Sequence, residues 1–585
     1  MSDDTEEYRA GYKQLTGYPV RRLMRLIALE WKDISIIYLY AVLAGLINLS
    51  LPLGIQAIMG LVLSGETSSS WYLLITIVIL GVAFAGGMQI MQMIISERLQ
   101  QRVFTKAAFD FAFRVPRWKL ESILKQYAPE LMNRFFDIVS LQKDLSKILV
   151  DFSTALLQII FGLILLGFYH GYFTIFGILS FGGMILLFRV TFPRGLETSL
   201  VESKFKYKVA AWLEELARTM ALVKLAGYTD MHLNKTDKMV TKYLKGRQDH
   251  SKVLRSQYVL VIAFRTLITA GVIIIGSLLV FNEKITLSQF VASEIVLILV
   301  INSIEKLLSS LSTIYDVLTS LEKVGQVTDI EIEGEKGIAF EDIDTGKGVE
   351  IVMKNVTYQF PGDERITLKN MSLTIPAGGK ICVSGWPGSG RSTLINLVAS
   401  MLHNYEGMIT FNDITLKNLN LISLRSYVGE NLSKKELIHG TIEENISMGR
   451  EDITYHDVKK AVDAVGLTEY IQSTREGFNT IIVPEDITIP TSIVTKITMA
   501  RSIAEKPHLF LLDDFLNSIE HKDKELIVDS LTGDDKFWTL LGASNDIVFA
   551  QHCDLIVVMK DGEIYDQGDY TYISQQPYFN DLFMP

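Results

Sequence analysis

Long apolar runs fill the chain from Ile34 to Ile304, and short ones replace them after Val349. Six of the long runs reach the roughly 20 residues a helix needs to cross a bilayer. They are Ile34–Leu63, Trp71–Ile95, Ile148–Tyr169, Tyr172–Val190, Tyr258–Phe281 and Leu287–Ile304. The connections alternate in kind. Ser64–Ser70, His170-Gly171 and Asn282–Thr286 are short and together hold a single lysine, Lys284, whereas Arg98–Lys147 and Arg194–Arg255 are long and basic. Basic connections stay in the cytosol, which puts both termini there and the short loops outside. Arg98–Phe113 and Lys204–Val223 keep apolar residues at helical spacing, so these spans are expected to extend into the cytosol as helices. They should turn near Trp118–Lys125 and Leu222–His232, where Gly or Pro lies close by.

Few polar residues interrupt the spans. Pro52 removes a helix hydrogen bond and should kink the first one. Gln56, Gln89, Gln92, Arg265 and Glu294 are the conspicuous polar positions. Arg265 lies near the cytosolic end, where its long stem can snorkel. Glu294 lies deeper, which suits either an internal cavity or a helix–helix hydrogen bond.

Beyond the sixth run, Glu305–Gly325 continues as a helix, and the acidic, glycine-punctuated Asp329–Gly348 reads as a linker or an edge hairpin. The rest alternates strands, turns and helices in the α/β manner. The expected layout is a cytosolic segment (1–30), a six-helix membrane domain with cytosolic extensions (31–325), a linker (326–348), an α/β domain (349–575) and a tail (576–585). Composition agrees with a membrane part joined to a soluble one: 49% of the 585 residues are hydrophobic and mean hydropathy is +0.26. The net charge of −10 gives no hint of nucleic-acid binding. Cys382 and Cys553 read as buried thiols of a reduced cytosolic setting, not a disulfide framework. The polar first 30 residues carry no evident cleavable signal peptide.

The chemistry centres on Gly385-Trp386-Pro387-Gly388-Ser389-Gly390-Arg391-Ser392-Thr393. It follows the apolar Lys380–Ser384, which reads as a buried strand, and precedes Leu394–Val398, which reads as a helix start. Strand, glycine loop and helix start are what a phosphate-binding loop needs: backbone N–H groups close to phosphate oxygens, and the positive end of a helix. The bland alternative is a glycine-rich turn. Arg391 stands where such a loop carries lysine, and a planar guanidinium copies a point-like ammonium poorly. Downstream, Leu509–Asp514 reads as a buried strand ending in two acids.

Six spans with long cytosolic extensions followed by this domain resemble a half-transporter of the ATP-binding cassette exporter family, over Arg21–Gly568. Ser50–Ile58 resembles the protein- and peptide-exporting branch, that of type I secretion and bacteriocin exporters. No cysteine peptidase precedes the spans, so leader cleavage is not implied. The resemblance implies an α-helical six-span membrane domain followed by an α/β P-loop NTPase domain, with ATP and Mg²⁺ as cofactors. It makes Phe360 the ring that stacks on adenine, and Gly385, Gly388, Ser389, Gly390, Arg391, Ser392 and Thr393 the nucleotide loop. Ser392 and Asp513 become the metal-side residues. Ser433 falls where the family has a glutamine touching metal and water, Asp514 where a glutamate polarises the attacking water, and Asn545 where a histidine touches the γ-phosphate. Ile489-Pro490-Thr491-Ser492-Ile493 stands in place of the Leu-Ser-Gly-Gly-Gln signature, whose backbone N–H groups cap the partner's γ-phosphate.

With lysine, glutamine, signature, glutamate and histidine all replaced, the expectation is ATP binding with weak or no hydrolysis. The implied protein is an exporter subunit for a peptide, protein or other amphipathic substrate, in the bacterial inner membrane with its cassette in the cytoplasm. Its implied partners are a second half-transporter, in a homodimer or a heterodimer, membrane lipids and a possible periplasmic adaptor, with no nucleic acid. The alternative is a pseudo-transporter acting as a membrane scaffold or regulator.

Overall fold

A computed structural model describes residues 17–63, 69–124, 126–343, 346, 348–432, 436–484, 488–533 and 536–583. The chain falls into two compact units. One is Met1–Pro116 with Gln126–Ile330, and the other is Glu331–Pro585 with the excursion Arg117–Lys125.

Among the described residues, six helices are long and apolar enough to cross a membrane: Trp31–Leu63, Ser69–Arg117, Ala128–Tyr169, Gly171–Arg218, Met231–Phe281 and Leu287–Thr328. They exceed the apolar runs because each run and the polar helical stretch beside it form one continuous element, as in the 51-residue helix Met231–Phe281. The first is broken at Leu49, between helices Trp31–Asn48 and Ser50–Leu63, three residues before Pro52. Ile77, Ile79 and Leu80 are exposed on helix Ser69–Arg114, an apolar face that suits lipid.

Polar side chains inside the first unit find specific partners. Gln92 Nε2 donates to the Ile37 carbonyl at 3.1 Å, and Tyr169 Oη donates to Gln56 Oε1 at 2.8 Å. Gln89 is exposed. Arg265 does not simply snorkel: it forms an ion pair with Glu305 on the last helix. Glu294 is half-buried, and its Oε1 has no hydrogen-bond partner among the described residues.

Among the described residues, the second unit holds two larger sheets and one two-stranded pair. Strands β1 (Ile351–Gln359), β2 (Ile366–Ile375), β4 (Tyr405–Phe411) and β5 (Ile414–Thr415) form an antiparallel sheet ordered β2-β1-β4-β5. The other sheet is built from β3 (Lys380–Gly385), β6 (Val428–Asn431), β9 (Leu509–Asp513), β10 (Thr539–Ala543), β11 (Leu555–Lys560) and β12 (Glu563–Gly568), ordered β12-β11-β3-β10-β9-β6. It is parallel apart from β12, which pairs antiparallel to β11. The short pair β7 (Gly440–Thr441) and β8 (Ile481–Ile482) stands apart.

Every residue of β3, β9 and β10 is buried, which explains their near-continuous apolar sequences. Side chains alternate between two cores with the strand period of two. Ile381, Val383, Leu509, Leu511 and Leu541 face a core shared with β1, β2 and β4. Cys382, Phe510, Leu512 and Leu540 face a core shared with helix Thr491–Ala504. Both cysteines are free and buried.

Residues 331–338, read as linker or edge hairpin, run as a strap. At one end the strap is bonded to the excursion: Lys119 N to Glu331 O at 3.0 Å and Glu333 N to Arg117 O at 2.7 Å. At the other end Ile338 N donates to Asn418 O at 2.8 Å, and Asn420 N to Ile338 O at 2.9 Å. The excursion, where a turn is expected from sequence, carries a short helix, Leu120–Ile123. Its Glu121 is buried and accepts from Tyr358 Oη (3.2 Å) and from the backbone N–H groups of His403 (3.0 Å) and Asn404 (2.9 Å).

Candidate functional site

Register assembles the site. Ala543 of β10 pairs with Val383 of β3 on one side and Asp513 of β9 on the other. The chain just beyond these strands, at their carboxyl ends, therefore converges: the glycine loop, Asp513-Asp514 and Asn545. Open parallel sheets bind ligands at this edge.

The loop needs its glycines. Gly385 has φ +154°, and a Cβ there would sit 2.2 Å from the Met559 carbonyl oxygen of β11. Gly390 has φ +98° and caps helix Arg391–Val398 without a side chain. Gly388, at φ +75°, has open space around it, and its carbonyl accepts from Arg365 Nη2 at 3.2 Å. Ser389 is buried, and its Oγ has no hydrogen-bond partner among the described residues. Thr393 is buried in the first turn of the helix.

Arg391 and Asn545 meet. Arg391 Nη1 donates to Asn545 Oδ1 at 2.7 Å. The same oxygen accepts from Ser384 Oγ at 2.8 Å and Gly385 N at 3.2 Å. Asn545 Nδ2 donates back to Gly385 O at 3.2 Å. The asparagine thus satisfies both halves of its amide on the base of the loop and on the arginine. Sequence reading treated the two positions as separate losses and did not foresee the pairing. The signal available was that an arginine and an amide acceptor replace their family residues together.

Asp513 and Ser392 also meet: Ser392 Oγ donates to Asp513 Oδ1 at 3.1 Å. Asp514 has left the strand. Its φ is +47°, its N–H bonds Ala543 O at 2.9 Å, and its Oδ2 lies 4.0 Å from Arg391 Nη2. Phe360 is half-buried and held edge-on by Tyr358, ring centroids 5.0 Å apart. Ser433 lies outside the described residues.

A further contact was not anticipated. Trp386, the second residue of the loop, packs edge-on against Tyr565 (5.6 Å between centroids) and lies 6.0 Å from Tyr578, with the Lys560 ammonium 5.1 Å from its ring. These contacts tie the loop to β12 and the C-terminal turn. Only an unusual tryptophan in a glycine loop could have suggested them.

The segment Ile489–Ile493 is built differently. Pro490 precedes helix Thr491–Ala504, and its carbonyl accepts from Ile493 N (2.9 Å) and Val494 N (3.2 Å). Ile489 and Ile493 pack against the core beneath.

Known proteins carry the same parts. Residues 34–304 match the family described as ABC transporter transmembrane region, and residues 368–517 the family described as ABC transporter. The chain is 25% identical over 338 residues to the Transport/processing ATP-binding protein ComA of Streptococcus pneumoniae, covering 58% of this chain and 47% of that protein. It is 28% identical over 316 residues to the Uncharacterized ABC transporter ATP-binding protein YfiC of Bacillus subtilis, covering 54% and 50%. The chain spans about half the length of the curated relatives it matches. In fold it is similar to a solved bacterial Atm1-family ABC exporter with ATP bound, at a TM-score of 0.83 and 16% identity, over 94% of this chain and 97% of that one. With a membrane region and a cassette in this order, the chain belongs to the ATP-binding cassette exporters, as a half-transporter.

Proposed function

We propose that the chain is one subunit of a dimeric exporter in the bacterial inner membrane, with its cassette in the cytoplasm. ATP binding, more than hydrolysis at its own site, drives outward movement of a peptide, protein or other amphipathic substrate. The observation that carries this reading is the Arg391–Asn545 pair set on an otherwise well-formed phosphate loop.

The loop has what triphosphate binding requires: glycines in conformations only glycine adopts readily, a helix start, and a guanidinium at its base. Ser392 Oγ and Asp513 Oδ1, both oxygen donors and 3.1 Å apart, fit a shared Mg²⁺ site. When bound, that ion neutralises charge on the β- and γ-phosphates. Phe360 offers a π face to adenine.

The groups that would cleave the nucleotide are weaker. Asn545 can donate a hydrogen bond but cannot carry charge or shuttle a proton. Asp514 is one methylene shorter than glutamate, and misplacing a catalytic group by about 1 Å costs on the order of a hundredfold. At the signature position, Ile489 and Ile493 turn inward to the core, and Pro490 offers no N–H to a partner's phosphate. In a homodimer both sites would carry these changes. In a heterodimer the partner's loop would still face Ile489–Ile493. A peptide substrate and a periplasmic adaptor rest on the resemblance of Ser50–Ile58 to the peptide-exporting branch, and similarity to a relative named a transport/processing ATP-binding protein supports a transport role.

The test is ATPase turnover and ATP-analogue binding in lipid nanodiscs, alone and with any co-purifying subunit. Analogue binding with turnover near background is expected. Brisk Mg²⁺-dependent hydrolysis by the chain alone, abolished by Asp513→Ala, would overturn the reading. The inward packing of Ile489 and Ile493 also favours a scaffold without transport, and failure to bind the analogue would select it.

A further inference from the structure

We propose that the cleft beneath the 331–338 strap binds a small organic carboxylate with an apolar body. The cleft encloses about 220 Å³ within the cassette unit and does not involve the phosphate loop. Its walls are Leu402, Leu416, Leu419 and Leu421. The strap roofs it, held on the 418–420 segment by the paired bonds of Ile338. Gly337 allows this close crossing, since a Cβ there would fall 2.4 Å from the Leu419 carbonyl carbon.

Three polar groups in the walls lack what the fold normally supplies. Tyr405 is 5% exposed, and its hydroxyl has no hydrogen-bond partner among the described residues. A buried hydroxyl left unpaired is costly, so nearly all have a partner. Burial pushes the phenol up to about 12, so it stays protonated and is a donor. His403 also lines the cleft, and neither ring nitrogen makes a hydrogen bond to the described residues. Its Nδ1 is 3.9 Å from Glu121 and its Nε2 3.7 Å from Glu333, contacts too long to satisfy them. Burial holds its pKa below the ordinary value, against the pull of both acids, so the ring brings one N–H donor and no charge.

Charge sets the sign of the guest. Lys336 and Lys417 line the cleft, and neither forms an ion pair among the described residues; Lys417 instead lies 4.8 Å over the Tyr405 ring. Glu333, the strap acid beside His403, is already gripped by both terminal nitrogens of Arg425. Two unpaired ammoniums and a buried phenol donor suit an anion. The leucine walls suit an apolar body beside it, and the volume lies below the range of drug-sized pockets, so a guest of about ten non-hydrogen atoms fits. His403 joins this cleft to the docked helix Leu120–Ile123, since its own backbone N–H bonds Glu121. A guest would therefore stiffen the seat of that helix.

Full-length protein in nanodiscs, with empty nanodiscs subtracted, is titrated with benzoate by saturation-transfer NMR, and inorganic phosphate is then added as a competitor. Benzoate transfer is expected, weakened at least tenfold in Lys336→Gln/Lys417→Gln and several-fold in Tyr405→Phe. Phosphate should not displace it. ATP-analogue affinity, read at the distant loop, should be unchanged in these variants, which certifies their fold. Absence of benzoate transfer, transfer unchanged in all variants, or displacement by equimolar phosphate would each overturn the proposal.

Discussion

Two turns in the cassette, both of which the resemblance to exporters would set against a phosphate, are built in opposite ways. The loop Gly385–Thr393 keeps its backbone: glycines at φ +154°, +75° and +98°, and a helix opening at Arg391, whose side chain bonds Asn545. The turn Ile489–Ile493 keeps only its place before a helix. Its backbone is set by proline, and its isoleucines join the core. A phosphate site is made of backbone conformation and unsatisfied donors, whereas a core contact is made of apolar area. The first turn retains the former and the second has changed to the latter. On the proposed reading, binding and cleavage would thus separate within one domain.

The largest effect should come from breaking the backbone of the first turn. Gly385→Ala places a Cβ 2.2 Å from a backbone carbonyl in a region that side chains rarely adopt. ATP-analogue affinity should fall by more than about tenfold, since a donor array displaced by 1 Å no longer matches its ligand. Isothermal titration of the nanodisc protein measures it. An unchanged affinity would mean that the loop is not the nucleotide site.

A smaller effect tests whether the replaced residues act together. Asn545→Ala leaves Ser384, Gly385 and Arg391 without their shared acceptor. Nucleotide-free protein should lose about 1–3 kcal/mol, the range for a hydrogen bond to a charged group and for orphaned polar atoms. Arg391→Ala added to it should cost less than Arg391→Ala alone. Thermal melts of both single variants and the double variant give the coupling, and strict additivity would dissolve the pair.

The second turn should answer differently. Ile489→Ala and Ile493→Ala each remove half-buried methyl groups, for which about 1–2 kcal/mol of stability is expected, below the cost at fully buried sites. Analogue affinity at the chain's own loop should not move. A fall in affinity without a fall in melting temperature would return a nucleotide role to this turn.

Much of this contrast is legible in the sequence. β3 and β9 announce themselves as Lys380–Ser384 and Leu509–Leu512 because a strand buried on both faces must be apolar throughout. The glycine spacing announces the loop because few other residues tolerate positive φ. Side-chain partnerships were not legible. The Arg391–Asn545 bond joins residues 154 apart in sequence, and the Arg265–Glu305 pair joins two helices whose packing decides it. The Trp386 contacts with Tyr565 and Tyr578 depend on where β12 returns beside β11. Local pattern fixes elements, but which side chains meet is set by register and packing far along the chain.

The smallest effect lies at the far end of the helix that the second turn begins. Glu505 caps helix Thr491–Ala504 at its C-terminus, where a negative charge opposes the helix dipole. Burial pushes its pKa from the ordinary 4.5 to about 7, with Glu430 adding to the shift and Arg450, 3.0 Å away, opposing it. The folded chain therefore holds a proton that the unfolded chain releases. The contribution to stability is fully present below pH 4.5 and is lost as pH rises through about 7. Glu505→Gln fixes the group neutral. It should change little at low pH and stabilise by on the order of 1 kcal/mol above pH 7, less whatever the Arg450 contact returns to the ionised form. Melting temperatures of wild type and variant across this range test the sign. Gly385→Ala should show no such drift, because nothing it disturbs titrates there. A gap that shrinks as pH rises would mean that Arg450 outweighs burial at this end of the helix.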